Sequence, residues 1–417
     1  MTDSANGKKV TLAAPKGMHD QLPEAEPAWD RIRKAAREVA DFYNFVRIDT
    51  PLLEHAELFE RGIGAGTDIV EKQMFVFTTK SKERLVLRPE FTAGIARAFI
   101  EHGLAQLGSP LKLWTSGALF RYEQPQAGRY RQFHQIDLEI ISTDDDPIYD
   151  TQTIIASWRL LEALKIKNAT ISINSIGCKN CRPNYRRQLQ GYFRSRRDQL
   201  CEDCTRRLET NPLRLLDCKQ EGCSEARKGA PIIIDHLCVM CRTHFKTVLE
   251  YLDELKLPYA LDHYLVRGLD YYSKTVFEVF AEGYPLALCG GGRYDYLIEL
   301  LGGKAAPAVG FAAGIERIVE AMRVQGVAAV LKEKPKVFLI HIGDLAKRRS
   351  LALIEELRHA NIGVAESLGR ESLLGQLKNA DKLGSPLALI FGQREAYEQS
   401  IIIRDLATGV QETVLLT

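Results

Sequence analysis

Residues 120–139, FRYEQPQAGRYRQFHQIDLE, carry the pattern that decides the fold. The apolar run LKLWTSGALF at 111–120 leads into a Pro-Gln-Ala-Gly turn, and RYRQFHQIDLEII at 129–141 follows it, which predicts two strands joined by a loop. Because successive strand residues point to opposite faces, the second strand has one apolar and one polar face. The polar face carries Phe133, Gln135, Asp137 and Glu139.

Charged side chains of both signs converge on this hairpin. Arg121, Arg129 and Arg131 accompany the carboxylates of the second strand. Guanidinium groups bind phosphate oxygens, carboxylates bind cationic groups, and an aromatic ring can stack on a base. The combination indicates a phosphate-bearing, zwitterionic ligand. The alternative is an exposed sheet face covered by ion pairs, since charged strand faces are common.

Composition limits the class of protein. The chain has 417 residues, 45% hydrophobic and 26% charged, which suits two or three globular domains. Its formal net charge is +2, so any nucleic-acid surface has to be local. The first residues lack the apolar core of a signal peptide, and no apolar run is long enough to span a membrane. We therefore expect a cytoplasmic protein without membrane contact, whose cysteines stay reduced.

Four other stretches bring polar groups to the ends of predicted elements. RLVLRPEFTAGIARAFIEHG at 84–103 predicts a strand and then a helix capped by Thr92, with Glu90 at the junction. In 265–280, Arg267 adjoins a glycine and is free to approach a ligand. LCGGGRYD at 288–295 predicts a glycine-rich turn, and PAVGFAAGIERIVEAM at 307–322 predicts a strand, a glycine turn and a helix with Arg317. GIGAGTDIVEKQMF at 62–75 lacks nucleotide-binding spacing and predicts a flexible loop near the site.

Eight cysteines fall in pairs between positions 178 and 241. Cys201, Cys204, Cys218 and Cys223 have the spacing of a zinc ribbon, and a structural zinc ion bound by four thiolates is the functional interpretation. A second set consists of Cys178, Cys181, Cys238 and Cys241. The alternative is a helical segment with buried thiols and no metal. Ten basic residues between 179 and 214 predict either a solvated helical face or contacts to nucleic-acid phosphates.

The C-terminal residues read as a separate domain. KEKPK at 332–336 predicts a linker. Strand-like runs at 336–342, 364–368, 386–392 and 401–406 alternate with helical runs, which predicts an α/β domain with a mostly parallel sheet.

These segments resemble histidyl-tRNA synthetases, a family of class II aminoacyl-tRNA synthetases. Residues 120–135 resemble class II motif 2 in its histidyl version, 45–55 resemble motif 1, and 307–322 resemble motif 3, while LVRGLDYY at 265–272 is typical of the family. The resemblance implies an α+β fold. An antiparallel-sheet catalytic domain spans 1–334 with a helical, Cys-rich insertion at about 178–260, and an α/β anticodon-binding domain spans 335–417. It also implies a homodimer formed through motif 1.

The resemblance also implies the site residues and their ligands. ATP is bound by Arg121, Glu123, Arg129, Phe133 and Arg317. Histidine is bound by Glu90, Thr92, Gln135, Glu139, Arg267, Tyr272 and Tyr294. Arg267 and Arg121 are the catalytic residues, because fixed cations lower the repulsion between a carboxylate and a phosphate. Mg²⁺ bridges the ATP phosphates. Phe91 stands where the family usually has glycine.

The expected function is ATP-dependent activation of L-histidine as the adenylate and its transfer to the 3′ end of tRNA(His). One alternative is a synthetase-like regulatory paralogue that senses histidine without ligase activity. Another is a zinc-stabilised RNA-binding protein without enzymatic activity. Arg121, Arg267, Arg317 and a C-terminal domain are all present, which favours the enzyme over the regulator.

Overall fold

The chain forms two compact units, Met1–Val330 and Leu331–Thr417. The structure is a computed structural model that describes residues 12–64, 66–327, 335–369 and 372–416. The linker predicted at 332–336 lies largely outside these residues. In the described part of the chain, no helix has both the length and the apolar character needed to cross a membrane.

The first unit is built on a large, mainly antiparallel sheet. The strands of this unit are β1 Val46–Arg47, β2 Leu53–His55, β3 Phe75–Thr78, β4 Arg84–Leu87, β5 Leu111–Phe120, β6 Gln132–Ile141, β7 Ala169–Ser175, β8 Tyr259–Leu261, β9 Ser273–Ala281, β10 Tyr284–Arg293 and β11 Ala308–Gly314. The eight-stranded sheet has the order β1-β5-β6-β11-β10-β9-β7-β8, and a small sheet has the order β2-β4-β3. Only the two edge pairs of the large sheet, β1–β5 and β7–β8, are parallel. The α+β architecture predicted from the sequence is confirmed.

Helices cover the apolar face of this sheet. The helices of the unit are α1 Glu26–Phe42, α2 Ala56–Ile63, α3 Thr92–Glu101, α4 Pro147–Ala163, α5 Arg182–Arg194, α6 Glu202–Thr210, α7 Glu221–Arg227, α8 Val239–Glu254, α9 Leu297–Leu300 and α10 Ile315–Val324. Ile136, Leu138 and Ile140 of β6 pack against α1, α4, α8 and α10, and each such burial contributes about 1.5–3 kcal/mol. The alternation along β6 therefore turns its polar face to the opposite side of the sheet.

Two predictions about glycine-rich segments were wrong. Gly290, Gly291 and Gly292 lie inside β10 and not in a turn. A Cβ on Gly291 would lie 2.1 Å from the carbonyl oxygen of Gly310 on the neighbouring strand, so close strand packing accounts for this glycine. Residues 62–75 are not one flexible loop, because Gly62 lies in α2 and Ile69–Gln73 form a turn of π-helix.

In its described residues, the second unit is a five-stranded sheet with three helices. Its elements are β12 Val337–His341, α11 Asp344–His359, β13 Val364–Glu366, α12 Leu373–Leu383, β14 Leu387–Phe391, α13 Gln393–Glu398, β15 Ser400–Asp405 and β16 Gln411–Leu415. In the order β13-β12-β14-β15-β16, β12 pairs in parallel with both neighbours, whereas β14–β15 and β15–β16 are antiparallel. The sheet is therefore evenly mixed, and the prediction of a mostly parallel sheet was wrong. Sequence reasoning missed β16, whose run QETVL is mostly polar.

Candidate active site

The polar face of β6 opens into a cavity of about 670 Å³. All the residues that the resemblance assigns to ATP and histidine line it: Glu90, Thr92, Arg121, Glu123, Arg129, Phe133, Gln135, Glu139, Arg267, Tyr272, Tyr294 and Arg317. They come from segments more than 220 positions apart in the chain, which the antiparallel pairing of β5, β6, β11, β10 and β9 brings side by side. The exposed-face alternative does not hold for Asp137 and Glu139, which are buried, and Phe133 and Gln135 of the same face line the cavity.

Glu139 is the best-buried carboxylate of the cavity, at 1% exposure. The hydroxyl of Thr92 donates to its Oε1 and the hydroxyl of Tyr294 donates to its Oε2, each at 2.6 Å. The backbone of β11 closes the cavity beneath it, since a Cβ on Gly310 would lie 1.4 Å from Oε2. Two fixed hydroxyl donors leave the other lone pairs of Glu139 available to accept from a ligand N–H.

Glu90 caps helix α3, a role that the sequence had assigned to Thr92. Its carboxylate accepts from the backbone N–H groups of Thr92 and Ala93 at 2.7 and 2.9 Å. Thr92 lies inside α3, where its hydroxyl is taken by Glu139. The prediction of Thr92 as the cap was therefore wrong, because the longer glutamate reaches the free amides and the helix N-terminus favours its negative charge.

Phe91 fits the local backbone without strain. Its φ of −98° is accessible to any residue, so this position does not require glycine. The ring is fully buried, and the guanidinium of Arg88 lies 4.4 Å from its centroid. The departure from the family pattern is thus accommodated by core packing.

Three buried carboxyl groups share this part of the cavity. Burial raises the pKa of Glu139 to about 8, against the opposing effect of its hydroxyl donors. Burial likewise raises the pKa of Glu90, and burial together with the charges of Glu139 and Glu90 holds the pKa of Asp137 well above its usual value. Asp137 Oδ1 has no hydrogen-bond partner among the described residues. The group is poised to receive a cationic ligand, whose charge would favour the ionised carboxylates.

The raised pKa of Glu139 should make the stability of the ligand-free protein depend on pH. An unfolded glutamate ionises near pH 4.3, so between that value and about pH 8 the folded state alone keeps the proton. Stability therefore falls as pH rises through this window and levels off above it. Between pH 6 and pH 8 we expect the wild type to lose about 2 kcal/mol more unfolding free energy than a Glu139→Gln variant. Urea unfolding at both pH values measures it, and equal losses would contradict the buried acid.

Arg267 lies against strands β9 and β10, beside Glu278 and Gly290. Burial lowers the pKa of Arg267, but the ion pair with Glu278 outweighs this effect and raises the pKa above its ordinary value. A Cβ on Gly290 would lie 2.5 Å from Nη1 of Arg267, so the glycine strand makes room for this guanidinium. Its Nε is buried and has no hydrogen-bond partner among the described residues. Sequence reasoning missed Glu278, although a single acid within the apolar strand VFEVF was a signal.

Arg121 and Arg317 are two further cationic donors in the cavity, and backbone carbonyls hold both of them in place. Nε of Arg121 donates to the carbonyl of Pro89 at 2.9 Å, and its guanidinium lies 5.2 Å from the ring centroid of Phe133. Arg317 donates to the carbonyls of Gly128 and Ala287 at 3.0 and 2.9 Å, and burial lowers its pKa. Both guanidinium groups are positioned by backbone oxygens, and neither forms an ion pair with a carboxylate of the residues that the structure describes.

Tyrosine rings enclose the acidic end of the cavity. The rings of Tyr271 and Tyr272 lie 4.7 Å apart, and those of Tyr271 and Tyr294 lie 5.6 Å apart. Burial raises the pKa of each of the three hydroxyl groups, so they remain neutral hydrogen-bonding groups. Tyr271 was missed from the sequence, where it adjoins Tyr272 in LDYY.

The insertion contributes to the same cavity. Cys201 and Cys218 line it, as do Arg207 and Arg214, both of which pair with Asp68. The ten basic residues of the insertion therefore do not form one solvated face. The cysteines converge in two groups, Cys201, Cys204, Cys218 and Cys223 and separately Cys178, Cys181, Cys238 and Cys241, each with sulfur atoms within 4.8 Å of one another.

A mainly antiparallel sheet with arginines and carboxylates on one face, joined to a separate α/β unit, defines a class II aminoacyl-tRNA synthetase. Residues 17–318 match the histidyl-tRNA synthetase family, and residues 336–417 match the anticodon binding domain family. The chain belongs to the histidyl-tRNA synthetase family.

Individual proteins agree with this assignment. The histidine–tRNA ligase of Dehalococcoides mccartyi strain 195 is 43% identical over 405 residues, 97% of each chain. That of Syntrophotalea carbinolica is 43% identical over 409 residues, 98% of this chain and 97% of its own. The apo S. aureus histidyl-tRNA synthetase has a TM-score of 0.80 at 33% identity, over 97% of this chain and 98% of that one. A Bacillus halodurans structure titled as an ATP phosphoribosyltransferase regulatory subunit/histidyl-tRNA synthetase shares the fold, with a TM-score of 0.64 and 22% identity.

Proposed function

We propose that the cavity activates L-histidine with ATP and transfers it to the 3′ end of tRNA(His), and that the twelve lining residues divide between the two small substrates. The enzyme is a histidine–tRNA ligase. The observation that supports this division is the distribution of charged groups within one cavity. Glu139, between two hydroxyl groups, lies at the acidic end, whereas Arg121 and Arg317 are held by carbonyl groups.

Histidine fits the acidic end. Glu139 accepts from one imidazole N–H, and the hydroxyl of Tyr272 pairs with the other ring nitrogen. Glu90, Thr92 and Gln135 surround the α-amino group, which supplies the cation that the buried carboxyl groups lack. Tyr294 fixes Glu139. A site that holds both ring nitrogens discriminates strongly against isosteres that lack them.

ATP fits the arginine-rich end. Phe133 stacks on the adenine beside Arg121, and Glu123 and Arg129 bound the same region, 3.9 Å apart. The histidine carboxylate attacks the α-phosphorus, the bond to the β-phosphate oxygen breaks, and pyrophosphate leaves. Arg267 and Arg121 stabilise the charge that collects on the α-phosphate, and Arg317 binds the γ-phosphate. A terminal ribose hydroxyl of tRNA then attacks the adenylate carbonyl and releases AMP.

Mg²⁺ accompanies the nucleotide. Carboxylate oxygens are its preferred protein ligands, and Glu123 and Glu316 line the cavity beside Arg121 and Arg317. When bound with the nucleotide, the ion would be held by Glu123 and Glu316 and would neutralise part of the phosphate charge. Glu316 is held in place by His134, whose backbone N–H donates to it at 2.9 Å.

Surface features support a larger assembly. The chain forms a homodimer through the motif 1 region, where Phe42, Val46, Leu52, Leu53 and Phe77 are exposed apolar residues. The catalytic domain extends to 334, and the anticodon-binding domain at 335–417 reads the anticodon arm. Exposed basic residues of the insertion contact tRNA phosphates. The enzyme works in the cytoplasm, where thiols stay reduced and its free cysteines persist.

A structural zinc ion is bound by Cys201, Cys204, Cys218 and Cys223. The sulfur atoms of Cys201 and Cys218 lie 3.9 Å apart, and a tetrahedron with Zn–S bonds of about 2.3 Å has edges of about 3.8 Å. Four thiolates leave no open position, so the metal does not take part in catalysis. We expect a Cys204→Ser variant to lose about one zinc ion per chain relative to the wild type. Elemental analysis that finds no zinc in the wild-type protein would refute the site.

Histidine-dependent exchange of pyrophosphate into ATP is the experiment that tests the function. We expect exchange with L-histidine and no exchange with the isosteric amino acids that lack a ring N–H. Histidine binding without exchange would instead support the regulatory paralogue. The positions of Arg121, Arg267 and Arg317 in one cavity argue against that alternative and against an RNA-binding protein without activity.

A further inference from the structure

The second cysteine group lies away from the cavity and joins the two ends of the insertion. Cys178 follows strand β7, Cys181 precedes helix α5, and Cys238 and Cys241 lie at the start of helix α8. The sulfur atoms of Cys178 and Cys181 lie 3.7 Å apart, which matches the edge of about 3.8 Å in a tetrathiolate zinc site and greatly exceeds the roughly 2.05 Å of a disulfide.

Backbone amides point at these sulfur atoms. The N–H of Asn180 donates to Cys178 Sγ at 3.4 Å, and the N–H of Cys238 donates to Cys181 Sγ at 3.1 Å. The other group has the same feature, with the N–H of Cys201 donating to Cys223 Sγ at 3.2 Å. Amide donors stabilise a thiolate more than a thiol, so they complement the charge that the sulfur atoms would carry with a bound cation.

The chain around this group is fitted to it. Gly177 has φ +65°, and a Cβ there would lie 2.9 Å from the Cβ of Cys181. The backbone of 176–177 pairs with Lys274, through Ile176 N–H to Lys274 O at 2.7 Å and Lys274 N–H to Gly177 O at 2.9 Å. The cysteine group is thereby attached to the segment that follows Tyr272.

A second contact reaches Tyr272 itself. Arg182, next to Cys181, donates to the backbone carbonyl of Tyr272 and to the carbonyl of Ile176 at 3.3 Å. The position of Arg182 is set by the turn that Cys178 and Cys181 close. The backbone that presents the Tyr272 ring to the cavity is therefore held from behind by the cysteine group.

We propose that Cys178, Cys181, Cys238 and Cys241 bind a second zinc ion, which fixes the backbone of Tyr272 through Arg182. This ion is distinct from the one at Cys201, Cys204, Cys218 and Cys223, and its removal loosens the histidine end of the cavity before the ATP end. The expected loss of histidine affinity rests on the proposed function of Tyr272. The metal site does not depend on that function.

Metal counts on matched variants test the site. With two cysteine groups, we expect two zinc ions per chain in the wild type and in Cys289→Ser, whose cysteine belongs to neither group. Cys181→Ser and Cys204→Ser should each retain one, and the double variant none. In cobalt-loaded protein, the thiolate-to-metal absorption should halve in each single variant. A wild-type protein with one zinc ion that Cys204→Ser removes would overturn the proposal, as would Cys181→Ser with two.

A measurement on the unaltered chain covers the case in which Cys181→Ser does not fold. Titration of the wild type with a mercurial thiol reagent should release two zinc ions, and release of one overturns the site. The coupling is tested in the one-zinc Cys181→Ser protein. We expect the KM for histidine to rise about tenfold with the KM for ATP little changed. An unchanged KM for histidine with one zinc ion would overturn the coupling and leave the proposed function untouched.

Discussion

Replacement of Arg267 by alanine should reduce histidine-dependent ATP–pyrophosphate exchange about 10²–10³-fold, or about 3–4 kcal/mol, with the fold intact. Arg267 lines the cavity, and the proposed adenylate formation would bring a carboxylate and a phosphate together there. A cation fixed before the reaction acts mainly on the transition state, so kcat should fall with kcat/KM. Steady-state exchange kinetics measure both constants.

The controls distinguish the loss of a catalytic cation from the effect of leaving the Glu278 carboxylate without its ion-pair partner. Arg267→Ala leaves Glu278 without its partner, so the double variant Arg267→Ala/Glu278→Gln should be as slow as the single one. Arg323→Ala removes an arginine from a glutamate pair on the surface and should exchange at the wild-type rate. Recovery of exchange in the double variant would mean that Arg267 only neutralises Glu278.

Replacement of Glu139 by glutamine should lower kcat/KM for histidine about 100-fold and leave the KM for ATP within about twofold. In the wild type, the hydroxyl groups of Thr92 and Tyr294 donate to the carboxylate of Glu139. A glutamine amide in its place would direct N–H donors at one of these two hydroxyl groups. The imidazole N–H also loses a charged acceptor. Exchange kinetics at varied histidine and varied ATP separate the two effects.

Glu101→Gln is the matched control for this variant. Glu101 is exposed and pairs with Arg97, which keeps Glu54 as a second partner. We expect wild-type kinetics for both substrates. If Glu139→Gln raised the KM for ATP more than that for histidine, Glu139 would belong to the nucleotide.

The hairpin was predictable because its signal is local. A period of two in 129–141 is enough to assign Phe133, Gln135, Asp137 and Glu139 to one face, and the structure places all four in the cavity. The amphipathic pattern of α1 and the Asp146 cap of α4 are equally local. Membership of the family supplied the other site residues, which single segments do not identify.

The errors concern features decided by distant parts of the chain. Gly291 reads as a turn residue until β11 lies beside it, and Thr92 reads as a cap until Glu139 takes its hydroxyl. The ion pair between Arg267 and Glu278 likewise depends on the tertiary position of strand β9, which carries Glu278. The final antiparallel strand of the second unit gains its place from β15, since its own sequence is polar.

The close approach of Gly310 to Glu139 has a consequence for engineering the enzyme toward histidine analogues. The floor beneath that carboxylate is main chain, so no exchange of side chains there can deepen it, and even one methyl group would collide with the acid. If the proposed histidine site is correct, bulkier amino acids have to be accommodated by changes in lining side chains such as the tyrosines and Gln135, and selection experiments should recover no substitution at Gly310.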